Sequence, residues 1–341
     1  MVMALPWLKQ PLADALRTQR GHALLVHGPE GVGQFEFAMA LAKAWLCETP
    51  ADRRSDAVAC DACPSCHLVD THGHPDLLVL VPEALRDALG LGQSDEPATD
   101  GEGRKAKPSK EIKVDALRAA VAFSQQTSAR GLAKVVVLHP AERMNAISAN
   151  TLLKTLEEPP GIARFVLSCG DAEGLLPTIR SRCQSVRLAL PEPALALAWL
   201  AEQSVAEPEL MLAAAGGQPL SVVDRAALGL DAAVWKKLPS LVTRGEASAL
   251  SGWPLPLVVE SLQKLCHDAL LAAHGAAPRY FPAGSVGAGH NVAELTQWAA
   301  ELRQAARHAE HPWNAGLKLE ALILRGQQAL SRTSPKLHST A

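Results

Sequence analysis

Aromatic side chains make up only 4% of the 341 residues, and tyrosine occurs once. With 48% hydrophobic residues in an alanine- and leucine-heavy texture, that scarcity excludes a β-sandwich and points to a helix-rich soluble protein. Net charge is nearly absent as well, since 33 Lys and Arg against 35 Asp and Glu leave −2. A chain so balanced lacks the basic surface that would hold nucleic acid unaided, so nucleic acid is expected only through partners. Long apolar runs are missing too. The N-terminal stretch is interrupted by Lys9, Asp14, Arg17 and Arg20, so neither a signal peptide nor a membrane span fits, and the cytoplasm is the expected compartment. Seven cysteines are too few for a disulfide scaffold, yet four share one short stretch, which calls for a local explanation. At roughly 150 residues per domain the length allows two or three domains.

Five short apolar runs read as strands: Ala23 to His27, Asp76 to Val81, Lys134 to Leu138, Arg164 to Ser168 and Gln184 to Leu188. Read as apolar throughout rather than alternating, they imply a parallel sheet covered by helices on both faces, a doubly wound α/β domain. Helices are expected at Gln34 to Leu46, Asp115 to Phe123 and Ser148 to Leu156, the last stopping before Pro159-Pro160. Between Glu83 and Glu111 the chain is rich in Gly, Pro and charge, which predicts a flexible insertion. After Pro191 only helical runs follow, broken at Gly216-Gly217, Pro239, Pro254 and Pro278, so a helical bundle is expected to about Ser331, then a frayed tail. Cys169, Cys183 and Cys266 read as small core residues. Trp199, Trp235, Trp253, Trp298 and Trp313 read as core or interface anchors rather than a base-stacking platform.

Two motifs carry chemistry. A phosphate-binding loop has the frame GxxxxGK[ST] between strand and helix, with backbone N–H groups around the phosphates, a lysine against their charge and a hydroxyl for magnesium. Here the frame reads Gly28-Pro29-Glu30-Gly31-Val32-Gly33-Gln34-Phe35. The glycines remain, while Gln34 replaces the cation and Phe35 the hydroxyl. The strand that would normally end in the magnesium-holding acid ends in His139-Pro140. Two losses in the two halves of one site predict a nucleotide site that has decayed, with no ATP binding. The second motif is Cys47, Cys60, Cys63 and Cys66. Two overlapping CxxC turns can aim three thiolates at one point while Cys47 supplies the fourth from the helix end, the donor set of one structural zinc. Free thiols, a redox CxxC, and the c-type haem signature in Cys63-Pro64-Ser65-Cys66-His67 are competing readings; the last two leave Cys47 and Cys60 unexplained. His67, His72 and His74 are possible replacement ligands.

Together with NTLLKTLEEPP at 150–160 and Ser181-Arg182-Cys183, these motifs resemble the delta prime subunits of the bacterial DNA polymerase III clamp loader, a branch of the AAA+ group. The specific matches lie in the first two hundred residues. The resemblance implies an AAA+ domain at 1–189 with a zinc module at 47–66 and the insertion at about 83–111, a helical lid at 190–232, a C-terminal helical collar at 233–332 and a tail at 333–341. It implies that Arg182 is an arginine finger acting in trans on a neighbouring motor subunit, and that Gly216-Gly217-Gln218-Pro219 lacks the sensing arginine of ATP-binding relatives. Lys154 would sit at a subunit interface or be a plain solvated lysine. The implied partners are the gamma/tau motor subunits and delta, with the sliding clamp and primer-template DNA reached through the complex; no membrane is involved. The chain would be no enzyme on its own but part of a polymerase holoenzyme. An active motor subunit and a zinc-bearing adaptor outside replication are the alternatives.

Overall fold

The computed structural model describes residues 5–92, 108–309 and 314–331. The chain divides into two compact units, Met1–Leu195 and Ala196–Ala341.

The first unit is built on five parallel strands, β1 (Ala23–His27), β2 (Leu77–Leu80), β3 (Lys134–Leu138), β4 (Ala163–Cys169) and β5 (Gln184–Arg187), in the order β2-β3-β4-β1-β5. Its helices are α1 (Lys9–Thr18), α2 (Gln34–Leu46), α3 (Pro64–Asp70), α4 (Val114–Ser124), α5 (Ala146–Glu157) and α6 (Pro177–Arg180). Strand side chains alternate between faces. Leu25, Val136, Leu138, Phe165 and Leu167 pack into one core with Leu117 of α4 and Leu152 and Leu156 of α5. The alternate residues Leu24, Val26, Val135, Val137 and Val166 are fully or almost fully buried, and α2 lies against β3 and β4. Both faces of the central strands are therefore covered, as the sequence predicts.

The last strand differs from expectation. β5 leaves Gln184, Ser185 and Arg187 exposed; it is an edge strand paired only with β1, and residues on both of its faces, Gln184 and Ser185, reach solvent. The insertion is tied at both described ends: Glu83 accepts from the Ser109 N–H at 3.0 Å and from Lys113 Nζ at 2.6 Å. The flexibility expected of it concerns mainly residues 93–107, which lie outside the described residues, as do the tail at 333–341 and Trp313.

The second unit is helical: the remainder of α7 (Pro193–Glu202), then α8 (Pro208–Ala214), α9 (Pro219–Ala227), α10 (Ala232–Arg244), α11 (Leu255–Ala273), α12 (Val292–Arg307) and α13 (Ala315–Ala329). Among the described residues no helix is long and apolar enough to cross a membrane. Pro239, expected as a break, sits inside α10. Burial of Trp235, Leu238, Leu241 and Val242 on the same helix holds it through the missing N–H, because packing outweighs propensity there. Trp199, Trp235 and Trp298 are buried, and Trp235 stacks on Phe281 at 4.4 Å while its Nε1 donates to Tyr280 O at 2.9 Å. Trp253 is only half-buried and lies in the turn before α11 rather than in a helix. Cys169 and Cys266 are core residues, whereas Cys183 is half-buried against the core.

Candidate functional site

Helix α2 carries a candidate site at each end. At its N-terminus the Gly-rich loop is closed tightly onto the sheet: a Cβ at Gly28 would stand 2.2 Å from Leu188 O, so only glycine fits. The phosphate cradle is filled by the chain itself. Gln34 is buried, and its Nε2 donates to Gly28 O and Pro29 O, each at 2.6 Å. A lysine there would aim its charge outward at a phosphate; the shorter amide satisfies the loop's own carbonyls. Phe35 is also buried and packs its ring 5.2 Å from that of His139, so apolar contact stands where a metal-holding hydroxyl and its acid partner would face each other.

His139 is bound through Nδ1 to Ser168 Oγ at 3.0 Å, and burial pulls its pKa down to about 4. It is neutral at pH 7 and supplies no charge to a phosphate. Nearby, Glu142 accepts from the Gly170 N–H at 2.9 Å; burial, with Glu30 adding like charge, pushes its carboxyl above the usual range. Glu30 and Glu142 thus both approach Gly170, the residue that follows β4. The N-terminal segment closes the loop from outside: Trp7 Nε1 donates to Val32 O at 2.8 Å. A Cβ at Gly33, whose φ is +104°, would stand 2.4 Å from Leu5 Cδ1. The only trace of Leu5 and Trp7 in the sequence is an apolar cluster beside Pro6.

At the other end of α2 the four cysteines meet. The sulfurs of Cys47, Cys60, Cys63 and Cys66 all lie within 4.8 Å of one another, with Cys60 Sγ to Cys66 Sγ 3.9 Å and Cys63 Sγ to Cys47 Sγ 4.0 Å. Tetrahedral bonds of about 2.3 Å require sulfur separations of roughly 3.8 Å, so the arrangement has the size of a closed four-thiolate site. Backbone N–H groups already point at the sulfurs, Cys60 N at Cys47 Sγ (3.4 Å) and Cys66 N at Cys63 Sγ (3.5 Å), which favours thiolate. The Thr49 hydroxyl and surrounding backbone amides draw the Cys60 thiol down to about 6, while burial drives Cys66 upward. Four converging sulfurs of this spacing fit a soft tetrahedral cation.

The candidate histidine ligands are elsewhere. His74 is buried, accepts the Asp76 N–H at Nδ1 (3.0 Å) and so donates from Nε2 to Ser65 Oγ at 3.1 Å. Ser65 in turn donates to Glu48 Oε1 at 2.8 Å, and Arg130 Nε reaches the same oxygen at 2.8 Å. The Ser65-His74 pair is therefore no activated nucleophile, because the nitrogen facing the hydroxyl carries the proton. Asp76, missed in the sequence except as a strand residue, anchors this chain of bonds. It is fully buried, accepts from Ser128 Oγ and the N–H groups of Ala129 and Arg130 at 2.8–2.9 Å, and pairs with Lys134 at 3.0 Å. Against the upward push of burial, those donors hold its carboxyl down to about 2. His67 and His72 are exposed on α3 and the turn after it.

The third candidate, Arg182, follows α6 and is half-buried. It donates from Nη1 to Thr178 O at 3.0 Å and from Nη2 to Glu157 Oε2 at 3.2 Å, so the structure brings the SRC triplet onto the end of the NTLLKTLEEPP helix. Lys154, on the same helix, is exposed. Gly216 and Gly217 turn the chain between α8 and α9 with φ of +71° and +87°.

A family model described as DNA polymerase III, delta subunit, matches residues 6–192. The delta prime subunit of DNA polymerase III from Pseudomonas aeruginosa is 39% identical over 222 residues, 63% of this chain and 59% of that protein, so the match spans less than two thirds of this relative. The Escherichia coli K12 delta prime subunit is 31% identical over 286 residues, 80% of this chain and 78% of the relative. A solved gamma subunit-related protein from Thermotoga maritima, at 18% identity, superposes with a TM-score of 0.50 over 95% of this chain and 100% of its own, a likeness of fold. On the family match and the Escherichia coli alignment, the chain belongs to the delta prime family of DNA polymerase III subunits.

Proposed function

We propose that the protein is a catalytically silent subunit of a clamp-loading complex, which braces the assembly and lends Arg182 to the ATP site of a neighbouring motor subunit. The observation that carries the silent half is the filled loop: the Gln34 amide bonds the loop's carbonyls at 2.6 Å, and Glu30 and Glu142 stand nearby. A phosphate entering this loop would have to displace a satisfied side chain and meet two carboxylates, at a cost no cation of the loop offsets.

The arginine-finger half rests on the resemblance and on chemistry that suits it. Arg182 is held by a pair to Glu157, whose side chain is 58% exposed; such pairs contribute at most about 1 kcal/mol. Exchanging that carboxylate for a neighbour's phosphate oxygens therefore costs little, and a planar, permanently charged fork suits charge spreading over a transferring phosphoryl group. The partners on this reading are the gamma/tau and delta subunits, with clamp and primed DNA met through the assembly.

The four cysteines would hold one structural zinc; when bound it cross-links the end of α2, the loop at Cys60 and the start of α3. The chain's own part is to deliver Cys47 from the helix end, present Cys63 and Cys66 from the N-terminal turn of α3, and seat the module on the sheet through Glu48, Ser65, His74 and Asp76.

Replacing Arg182 by alanine in the reconstituted complex tests the reading. Assembly should be intact by gel filtration, while hydrolysis at the one site it serves should fall by roughly a thousandfold or more. Complex turnover unchanged by the substitution would refute the role.

A further inference from the structure

At the end of the sheet opposite the Gly-rich loop, where the strands begin, two adjoining hollows open. One, of about 180 Å³, is walled by Arg20, His22, Pro159, Ile162 and Arg164. The other, of about 360 Å³, is walled by Gln125, Gln126, Thr127, Ser128 and the backbone at Gly161. They share Gly161, Ile162 and Ala163 as a common rim. None of the residues lining either hollow is acidic.

Two arginines give the smaller hollow its charge. Among the described residues neither has a carboxylate within ion-pair distance, although the neighbouring cations Arg130 and Lys134 are each paired. Arg164 is half-buried and rests its guanidinium over the Trp45 ring at 4.8 Å. Trp45 offers cation–π attraction but no hydrogen-bond acceptor, so the fork keeps donors to spare. Arg20 lies close enough for its charge to lower the Arg164 pKa, with burial the larger cause. Two like charges beside each other, one of them withdrawn from water, are stabilised by a shared counter-ion. His22 does not compete for it: its Nε2 is engaged with Leu156 O at 2.6 Å.

We propose that Arg20 and Arg164 form a binding site for a phosphate group, with the hydroxyl- and amide-lined hollow beyond Ile162 receiving the rest of the ligand. Guanidinium forks match phosphate oxygens in charge and geometry, and the Gln125, Gln126 and Thr127 side chains of the acid-free second hollow suit further oxygens. This site is separate from Arg182 and from the Gly-rich loop, and the inference stands whether or not the clamp-loading role holds. The same chemistry occurs in a free phosphate compound and in the phosphodiester backbone of a nucleic acid strand.

Titration of the full-length chain at low salt with inorganic pyrophosphate and, separately, with a twelve-residue oligothymidylate distinguishes these sources. Binding of pyrophosphate alone would identify a small-phosphate site; binding of the oligonucleotide, weakened by salt, would identify a strand-binding groove. In either case Arg20→Ala, at an exposed position that leaves the fold alone, should weaken binding by roughly ten- to a hundredfold, the loss typical of a charged hydrogen bond. Arg164→Lys should lose affinity while keeping charge, because it removes the fork. Neither probe binding at millimolar concentration, or affinity indifferent to Arg20→Ala, would overturn the proposal.

Discussion

The two ends of helix α2 had opposite fates. At the N-terminal end the side chains around the loop pack or bond inward: Gln34 to the loop carbonyls, Phe35 to His139, Leu5 against Gly33. At the C-terminal end a complete donor set is gathered, four sulfurs within 4.8 Å, and its supports are fully hydrogen-bonded into the sheet. On the proposed function, shape without the phosphate-binding side chains at one end and four converging sulfurs with their hydrogen-bonded neighbours at the other mark a silent loop and a structural metal site. A glycine-rich turn without its lysine and hydroxyl offers a phosphate only backbone N–H groups, whereas four converging sulfurs are the full donor set of a soft tetrahedral cation.

The largest effect expected of this contrast lies at the cysteine end. Cys66→Ser, or prolonged chelation of the full chain, should lower the melting temperature of the first unit by roughly 10 °C or more, since each kcal/mol shifts a unit of this size by about 2–4 °C. Metal analysis should return one zinc per chain. A chain purified without chelator that is metal-free, and melts the same with and without chelator, would break the comparison.

Next comes the anchor. Asp76→Asn leaves Lys134, 5% exposed, without its buried counter-charge, and should cost about 3–5 kcal/mol in denaturant unfolding. Its pH signature has a fixed sign. The native carboxyl near 2 lies below its ordinary value of 3.8, so its contribution of about 2 kcal/mol is present above pH 3.8 and is lost as pH falls from there to about 2. The variant should lack that loss.

At the loop end the expected effect is confined to acid. His139 has a native pKa of about 4 against an ordinary 6.5, so the preference for neutral imidazole supports the fold above pH 6.5. That support, about 3 kcal/mol, is lost as pH falls from 6.5 to 4. His139→Gln should flatten the stability profile across that window relative to the unaltered chain, and identical slopes would show that His139 is not buried neutral.

Much of this was legible before any coordinates. The central strands and helix α2 stood out because residues buried on both faces leave uninterrupted apolar runs, and the decayed loop and cysteine spacing are local patterns with fixed offsets. β5 was misread as covered because nothing in five residues says that a strand is the last in its sheet. Pro239 was misread as a break because its tolerance depends on tertiary packing of Trp235 and Leu238. The plug formed by Leu5 and Trp7, and the bonds of Asp76 to Ser128, Ala129 and Arg130, connect residues far apart in the chain, and no local pattern announces them. The pairing of Arg182 with Glu157 is of the same kind: both motifs were visible, their contact was not.

The central claim is that the loop at the N-terminus of α2 no longer receives a nucleotide. Isothermal titration of the purified full-length chain with ATP and magnesium tests it without any partner. No binding at roughly millimolar nucleotide, a free energy weaker than about −4 kcal/mol, is the predicted result. Micromolar affinity abolished by substitutions at Gly31 or Gly33 would contradict it and make the chain a motor in its own right.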